Sequence, residues 1–413
     1  MTSVTILGGG IVGICSALSL LERGISVRLI DRGAPGQETS FGNAGVISPW
    51  SIIPQCLPGL WRQIPSLLTG QYQPLSVRTA FWPRMIPWGL KFLRNGTEQR
   101  LRDTVDVMEV FCGPSMDLYR RALAGTGQEA LIRDSYYVHA FRNGAKANLQ
   151  SIDYVLRAEK GADLEVIGAA ELHALEPALS PEFKAAVLIK GQARTTSPGR
   201  IGAVLAEKAR GLGAEILQTE VVSLTQKAAG WQIETNGGML EADKVVVAMG
   251  AWSNRLLAPL GLKVPMVAER GYHIEMPSPG VSLNHSVMDM DAKFVASSMG
   301  AGLRVAGQAE FGDVAAPADP GREAKMLRLA KAAIPDLDLT GNRFWLGRRP
   351  SLPDSLPIID QPKSHEGLFL NFGHCHYGLM MAPKSGEVLG DLVTGVQPNN
   401  LDRRAVSLAR FGR

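Results

Sequence analysis

Cysteine is scarce. Cys15, Cys56, Cys112 and Cys375 are the four in 413 residues, and none pairs with another as C-x-x-C. That spacing excludes a disulfide framework and a structural zinc site, and it fits a reducing compartment. Charged residues are also few, at 20%, yet a hydrophobic content of 45% supplies enough apolar surface to offset chain entropy, so a disordered chain is excluded. A surplus of either charge is missing too: 43 basic against 39 acidic residues leave +4. This is too mild to imply a nucleic-acid partner, and the basic runs are too short for such a platform. Neither a Walker A motif nor G-x-S-x-G occurs. The apolar start, Val4 to Leu21, lacks a basic leader and a small-residue cleavage site, and three consecutive glycines interrupt it. The chain is therefore expected to be neither exported nor membrane-spanning. Its length predicts two or three domains.

What is present begins at once. Val4–Leu7 is a short apolar run that reads as a buried strand, followed by Gly8, Gly10 and Gly13 in G-x-G-x-x-G. Ile14 to Arg23 has the pattern of a helix stopped at Gly24, and Ile25–Ile30 that of a second strand closed by Asp31. This is the context of a dinucleotide-binding βαβ unit. The first glycine makes the turn, the second lets backbone approach a pyrophosphate, and the third lets helix and strand pack. The helix N-terminus offers unpaired N–H groups and a partial positive charge to the phosphates. Asp31 is placed to accept from the adenosine ribose hydroxyls.

Three later segments extend the pattern. Thr39–Gly45 is a small polar loop suited to phosphates and a ribityl chain. Lys244–Met249 is a strong strand running into Gly250, Ala251 and Trp252. Gly367–Asn371 is a late strand leading to Gly373, His374, Cys375, His376, Tyr377 and Gly378, and a helix is predicted from about Pro383 to Leu392. A glycine turn before a helix N-terminus is a natural seat for the electron-rich edge of a reduced flavin. Ser197 to Gly213 reads as a helix, and Glu215–Leu217 and Val221–Leu224 as strands of the N-terminal sheet. Ser135–Phe141, Ala185–Ile189, Tyr272–Met276 and Arg304–Ala306 suit a second, largely antiparallel sheet.

The set GGGIVG (Gly8–Gly13), TSFGNAG (Thr39–Gly45), VVAMGAW (Val246–Trp252), GRRP (Gly347–Pro350) and GHCHYG (Gly373–Gly378) runs the length of the chain in order. Together these resemble the D-amino-acid oxidase superfamily of FAD-dependent oxidoreductases, and within it the bacterial D-amino-acid dehydrogenases. Cys375 and Ser355 stand where those enzymes commonly have glycine. His273, in E-R-G-Y-H, is similar to related imino-acid dehydrogenases. The resemblance implies an α/β fold: a Rossmann-like FAD-binding domain (1–50, 196–265 and 340–413) interleaved with a substrate domain on a mainly antiparallel sheet (51–195 and 266–339).

It also implies sites. Gly8, Gly10, Ile11, Val12 and Gly13, with Asp31 and Arg32, would hold FAD from the first strand–helix turn. Ser40, Asn43, Ala44 and Gly45 would do so from the polar loop, and Val222, Gly250 and Trp252 from the middle of the chain. Gly373, His374, Gly378 and Leu379 would complete the cofactor site. Arg349 would fork onto the substrate carboxylate, and Arg348, next along the strand, would face the other way. Tyr272 and His273 could cap the amine or carboxylate, or form a buried structural pair. His376 lies near the expected flavin edge, where an imidazole could stabilise the reduced anion. With those four as candidate catalytic residues, no acid or base is required, because hydride removal from a neutral amine relies on the cofactor and on orientation. No metal is expected.

The implied reaction is oxidation of a D-amino acid to its imine by hydride transfer to flavin N5, a cyclic D-imino acid such as a D-proline derivative included. The alternatives are oxidation of another small amine such as sarcosine or glycine, and a flavin subunit of a multi-subunit dehydrogenase. No second dinucleotide motif is present, so the electron acceptor is expected to be a quinone, oxygen or a protein. Residues 50–94 bear on this: four of seven tryptophans (Trp50, Trp61, Trp82, Trp88) and five basic residues lie among prolines, with no Asp or Glu from Trp50 to Asn95. That composition suits either peripheral contact with an anionic bilayer or an insertion packed on the substrate domain. A cytoplasmic protein, peripheral on the inner face of the membrane under the first reading, is expected.

Overall fold

The computed structural model describes residues 3–397 and 401–412. Two sheets organise it. The first has the spatial order Ile358–Asp360, Leu368–Phe372, Lys244–Val247, Ser3–Leu7, Ser26–Asp31, Glu215–Gln218. All pairs in it are parallel except that of Ile358–Asp360 with Leu368–Phe372. Its central strands, Leu368–Phe372, Lys244–Val247 and Ser3–Leu7, are mostly apolar because both faces are covered. Val4, Ile6, Leu29, Val246 and Phe369 face one core with the helices Ile11–Leu21, Pro198–Gly211 and Gly378–Thr394. Leu7, Ile30, Val245, Val247 and Leu368 face another. That second face is roofed by a separate antiparallel sheet, Val221–Gln226, Trp231–Thr235 and Gly238–Ala242. Val221–Leu224 therefore does not join the N-terminal sheet as expected. Its apolar Val221 and Leu224 pack on the sheet instead of extending it.

The late helix also departs from expectation. It starts at Gly378, with Pro383 inside it rather than at its first turn. Pro383 has no N–H for the carbonyl of Leu379 four residues back, and Tyr119 Oη donates to that carbonyl at 2.7 Å instead. Small residues let this helix touch the first: a Cβ on Gly386 would lie 2.5 Å from the Cys15 carbonyl oxygen. Asn371 Nδ2 adds a hydrogen bond to Ser16 Oγ at 2.9 Å.

The second sheet has ten strands, in the order Arg343–Ser351, Val267–Met276, Gly302–Phe311, Phe294–Met299, Ser286–Asp289, Ile132–Phe141, Ala185–Thr195, Val46–Ile47, with Leu75–Val77 and Leu164–Gly168 alongside. It is antiparallel apart from two pairs. Arg343–Ser351 lies within the 340–413 segment yet pairs along its length with Val267–Met276. On one face Tyr272, Ile274 and Met276 pack against Met326, Leu329 and Ala330 of the helix Pro320–Ala333. The other face, carrying Glu269 and Gly271, closes the cavity against the first sheet.

Candidate active site

One cavity of about 990 Å³ runs between the two sheets. That is the upper end of the usual range for small-molecule sites. At one end it is bordered by Gly8, Gly10, Ile11 and Val12. Gly8 has φ +113°, and a Cβ there would lie 2.5 Å from the Ala248 carbonyl oxygen, so only glycine fits. Gly13 does not border the cavity, because a Cβ there would overlap the Gly8 carbonyl. Its part is the close helix–strand approach. Asp31 accepts from Gly9 N–H at 2.6 Å and Gly33 N–H at 2.9 Å, so it fixes the glycine turn itself; burial pushes its carboxyl up. Arg32 pairs with Glu38 and stacks 4.3 Å over Trp252. Ser40 Oγ accepts the Ile11 N–H at 3.0 Å. Asn43 and Ala44 border the cavity, whereas Gly45 at φ +83° turns the loop beneath it. Thr219, Glu220 and Val221 form the wall where Val222 was expected. Gly250, Trp252, Gly373, His374, Gly378 and Leu379 complete the lining. Two helix N-termini, at Ile11 and Gly378, thus open on one space, and the second carries no side-chain cap. Such a pair of helix N-termini on one space makes a cradle that could hold a dinucleotide.

Beyond the cradle lies a charged cluster. The register places Arg349 opposite Glu269 and Arg348 opposite Arg270, so the two arginines leave opposite faces. Arg348 donates to the Val314 carbonyl at 2.9 Å. Arg349 lies over Gly271, where any Cβ would overlap the guanidinium. Its Nη1 donates to Glu269 Oε1 at 2.9 Å and to the Gln308 carbonyl at 3.2 Å. That carbonyl is presented by a bulge, with Gln308 at φ +60°, where the pairing of Arg270 and Tyr272 slips against Gly302–Phe311. Nη2 and Nε of Arg349 have no protein partner among the described residues, which leaves a two-donor edge open to a carboxylate.

Glu269 is the residue sequence reasoning missed. It is 2% exposed and accepts from Arg349, from Ser351 Oγ at 2.8 Å and from His376 Nε2 at 2.6 Å. Burial pushes its carboxyl up, but His376, Arg349 and Ser351 outweigh that and hold it below the usual carboxylate range. Its strand, Val267–Met276, also carries Arg270, His273 and Glu275, so nothing in the sequence set Glu269 apart. His376 is held there by its loop: Cys375, at φ +48°, donates its N–H to the Pro350 carbonyl at 3.3 Å, and Tyr377 Oη donates to the Ile53 carbonyl at 2.6 Å.

The other expected catalytic side chains are not brought to this cluster. His273 donates from Nδ1 to the Gly42 carbonyl at 3.3 Å and stacks on Trp345 with centroids 4.8 Å apart. Burial, then Arg304, lowers its pKa to about 3, so it is a neutral prop for the polar loop. Tyr272 borders the cavity but stacks on Phe344, and its hydroxyl accepts the Asp319 N–H at 3.3 Å. His374, expected at the cofactor rather than in catalysis, bonds Ser385 Oγ at 2.9 Å, and burial lowers its pKa to about 3. The Trp/Arg stretch splits. Trp88 is buried on Phe92 and Phe311, and Trp50 donates to the Lys190 carbonyl at 3.1 Å. Trp61 and Trp82 stay 59% and 40% exposed, and Ile86 and Leu90 follow Trp82 on the same face of the helix Trp82–Leu93. No helix among the described residues is long and apolar enough to cross a membrane.

Known proteins match this chain in sequence and fold. The family model for the DAO, FAD dependent oxidoreductase family covers residues 3–392. A D-amino-acid oxidase of Bradyrhizobium diazoefficiens is 34% identical over 96% of both chains. A D-amino acid dehydrogenase of the same organism is 32% identical over 99% of this chain and 98% of its own. Among solved structures, glycine oxidase from Geobacillus kaustophilus superposes with a TM-score of 0.75 at 22% identity over 99% of both chains. L-proline dehydrogenase from P. horikoshii gives 0.75 at 20% identity, over 99% and 97%. With the cradle built from Gly8 to Leu379 and a match across almost all its length, the chain belongs to the family of FAD-dependent oxidoreductases, and FAD is its cofactor.

Proposed function

We propose that this enzyme oxidises a D-amino acid, with cyclic D-imino acids such as D-proline derivatives among its substrates, to the corresponding imine. The observation that carries the reading is the open edge of Arg349, aimed into the cavity beyond the dinucleotide cradle. A guanidinium fork orients an α-carboxylate and with it the α-carbon. Bound FAD supplies the acceptor, at flavin N5, for the hydride that leaves that carbon. The imine of a primary amine then hydrolyses to a 2-oxo acid. The names of the full-length relatives support the D configuration. Arg349→Ala is expected to raise KM for the substrate by about two orders of magnitude, corresponding to ~3 kcal/mol of charge-assisted hydrogen bonding, with the flavin retained. Steady-state kinetics on the yellow protein decides this, and an unchanged KM rejects the anchor.

The acceptor we propose is a quinone in the lipid phase. The cavity wall continues from the active site through Phe92, Leu93 and Met85 to Ile86 and Leu90, which are exposed beside Trp82. Arg62, Arg84, Lys91 and Arg94 are exposed in the same segment as this apolar mouth, a pairing suited to the anionic inner face of the cytoplasmic membrane.

A further inference from the structure

The chemistry proposed above gives Glu269 no task, yet four side chains, Arg349, His376, Ser351 and Gln55, converge on it. One of its oxygens, Oε1, receives both Arg349 Nη1 and His376 Nε2. An imidazole that donates Nε2–H to a carboxylate keeps its lone pair on Nδ1. Among the described residues that nitrogen has no partner, and the side chain, 35% exposed, borders the cavity. The same Oε1 therefore ties the carboxylate anchor to an imidazole with one free basic site.

We propose that His376, oriented by Glu269, is the base that takes the proton from the substrate's ammonium group. This rests on Arg349 as the carboxylate anchor. A free amino acid is a zwitterion whose nitrogen has no lone pair to drive hydride loss. In the proposed step an N–H bond of the ammonium breaks and its electron pair stays on nitrogen. The proton bonds to His376 Nδ1, and Glu269 compensates the new positive charge. When the hydride leaves the α-carbon for the bound FAD, that lone pair closes the C=N bond. One proton and one hydride have then left the substrate, and the imidazolium returns its proton to water. The charged groups facing His376 are Glu269 and Arg349 on the adjoining strands. From its own loop come Cys375 and Tyr377, both pushed up by burial and therefore uncharged. Gln55 is neutral; its amide nitrogen lies 2.7 Å from Nε2 and donates to Glu269 Oε2 at 3.4 Å, so both nitrogens direct their protons to the same carboxylate. The dyad was hard to see in sequence because its members are 107 residues apart.

The test uses the holoenzyme and 2-aminoisobutyrate, an amino acid with no α-hydrogen, which binds without being oxidised. In protein labelled with 15N-histidine, saturation is expected to move one histidine to the imidazolium pattern. That signal should be absent in His376→Gln and altered in Glu269→Gln. Flavin reduction by a D-amino acid in His376→Gln should fall about 100-fold at neutral pH, within the usual range for a general base. It should recover as pH rises and free amine becomes abundant, which a merely structural defect would not do. Saturable binding with every histidine still neutral, or a deficit of equal size at all pH values, overturns the base and leaves the anchor standing. Absence of saturable binding overturns the anchor and the base together.

Discussion

Cys375 and Ser355 adopt φ +48° and +64°, a region that costs a side chain about 1 kcal/mol or more, and each has a compensating contact. Cys375 Sγ accepts the Leu352 N–H at 3.3 Å, and Ser355 Oγ the Gln55 N–H at 3.2 Å. The departures from glycine noticed in the sequence thus mark the two turns that seat His376 and Gln55. Two histidines make a testable contribution at this scale. His273 and His374 are held neutral, each with a pKa lowered by burial to about 3. An unfolded histidine titrates near 6.5. Their folded values are depressed, so the stability they contribute is complete above about pH 6.5 and is lost as pH falls towards 3. The melting temperature should therefore drop through that window. His273→Gln, which keeps a donor for Gly42, should show a shallower drop in scanning calorimetry; parallel slopes would count against the assignment.

At the scale of elements, the contact between Tyr119 and Leu379 substitutes for the bond Pro383 cannot make. Tyr119→Phe leaves a buried carbonyl unpaired and should cost about 1–3 kcal/mol, measured as a shift in the denaturant midpoint. How much could be read beforehand follows from the same physics. The first βαβ unit was legible because glycine turn, apolar strands and closing acid are contiguous. The alternation of Arg348 and Arg349 was legible because strand parity is fixed by two residues. The helix start at Gly378 was not, since the carbonyl that Pro383 leaves free, on Leu379, is satisfied by Tyr119, 260 residues earlier in the chain. Nor was the side chain of His273, whose destination depends on the Gly42 loop crossing above it. Glu269 is the same case: its chemistry comes from residues on other elements.

For the whole molecule, the cradle and the exposed apolar mouth belong to one continuous cavity, so contact with a bilayer and access to the flavin would share a route. Trp61 lies 59% exposed outside that cavity, with Arg62 stacked 5.1 Å from its ring. Trp61→Ser combined with Arg62→Ser removes an apolar anchor of ~2 kcal/mol and a charge worth ~1 kcal/mol at an anionic surface. Co-sedimentation with vesicles containing anionic lipid should fall at least about tenfold while turnover with a soluble dye stays constant. Equal sedimentation of both proteins would remove the membrane reading.

The helix that follows Gly378 rests directly on the helix that follows Gly10, and the strand before it lies next to Lys244–Val247, beside the strand that opens the chain. The glycine turn at Gly8–Gly13 is therefore translated long before Gly378 and Leu379, without which the receptacle is unfinished. Flavin capture should accordingly be a late, post-synthetic event, and shortened products of interrupted translation should emerge colourless.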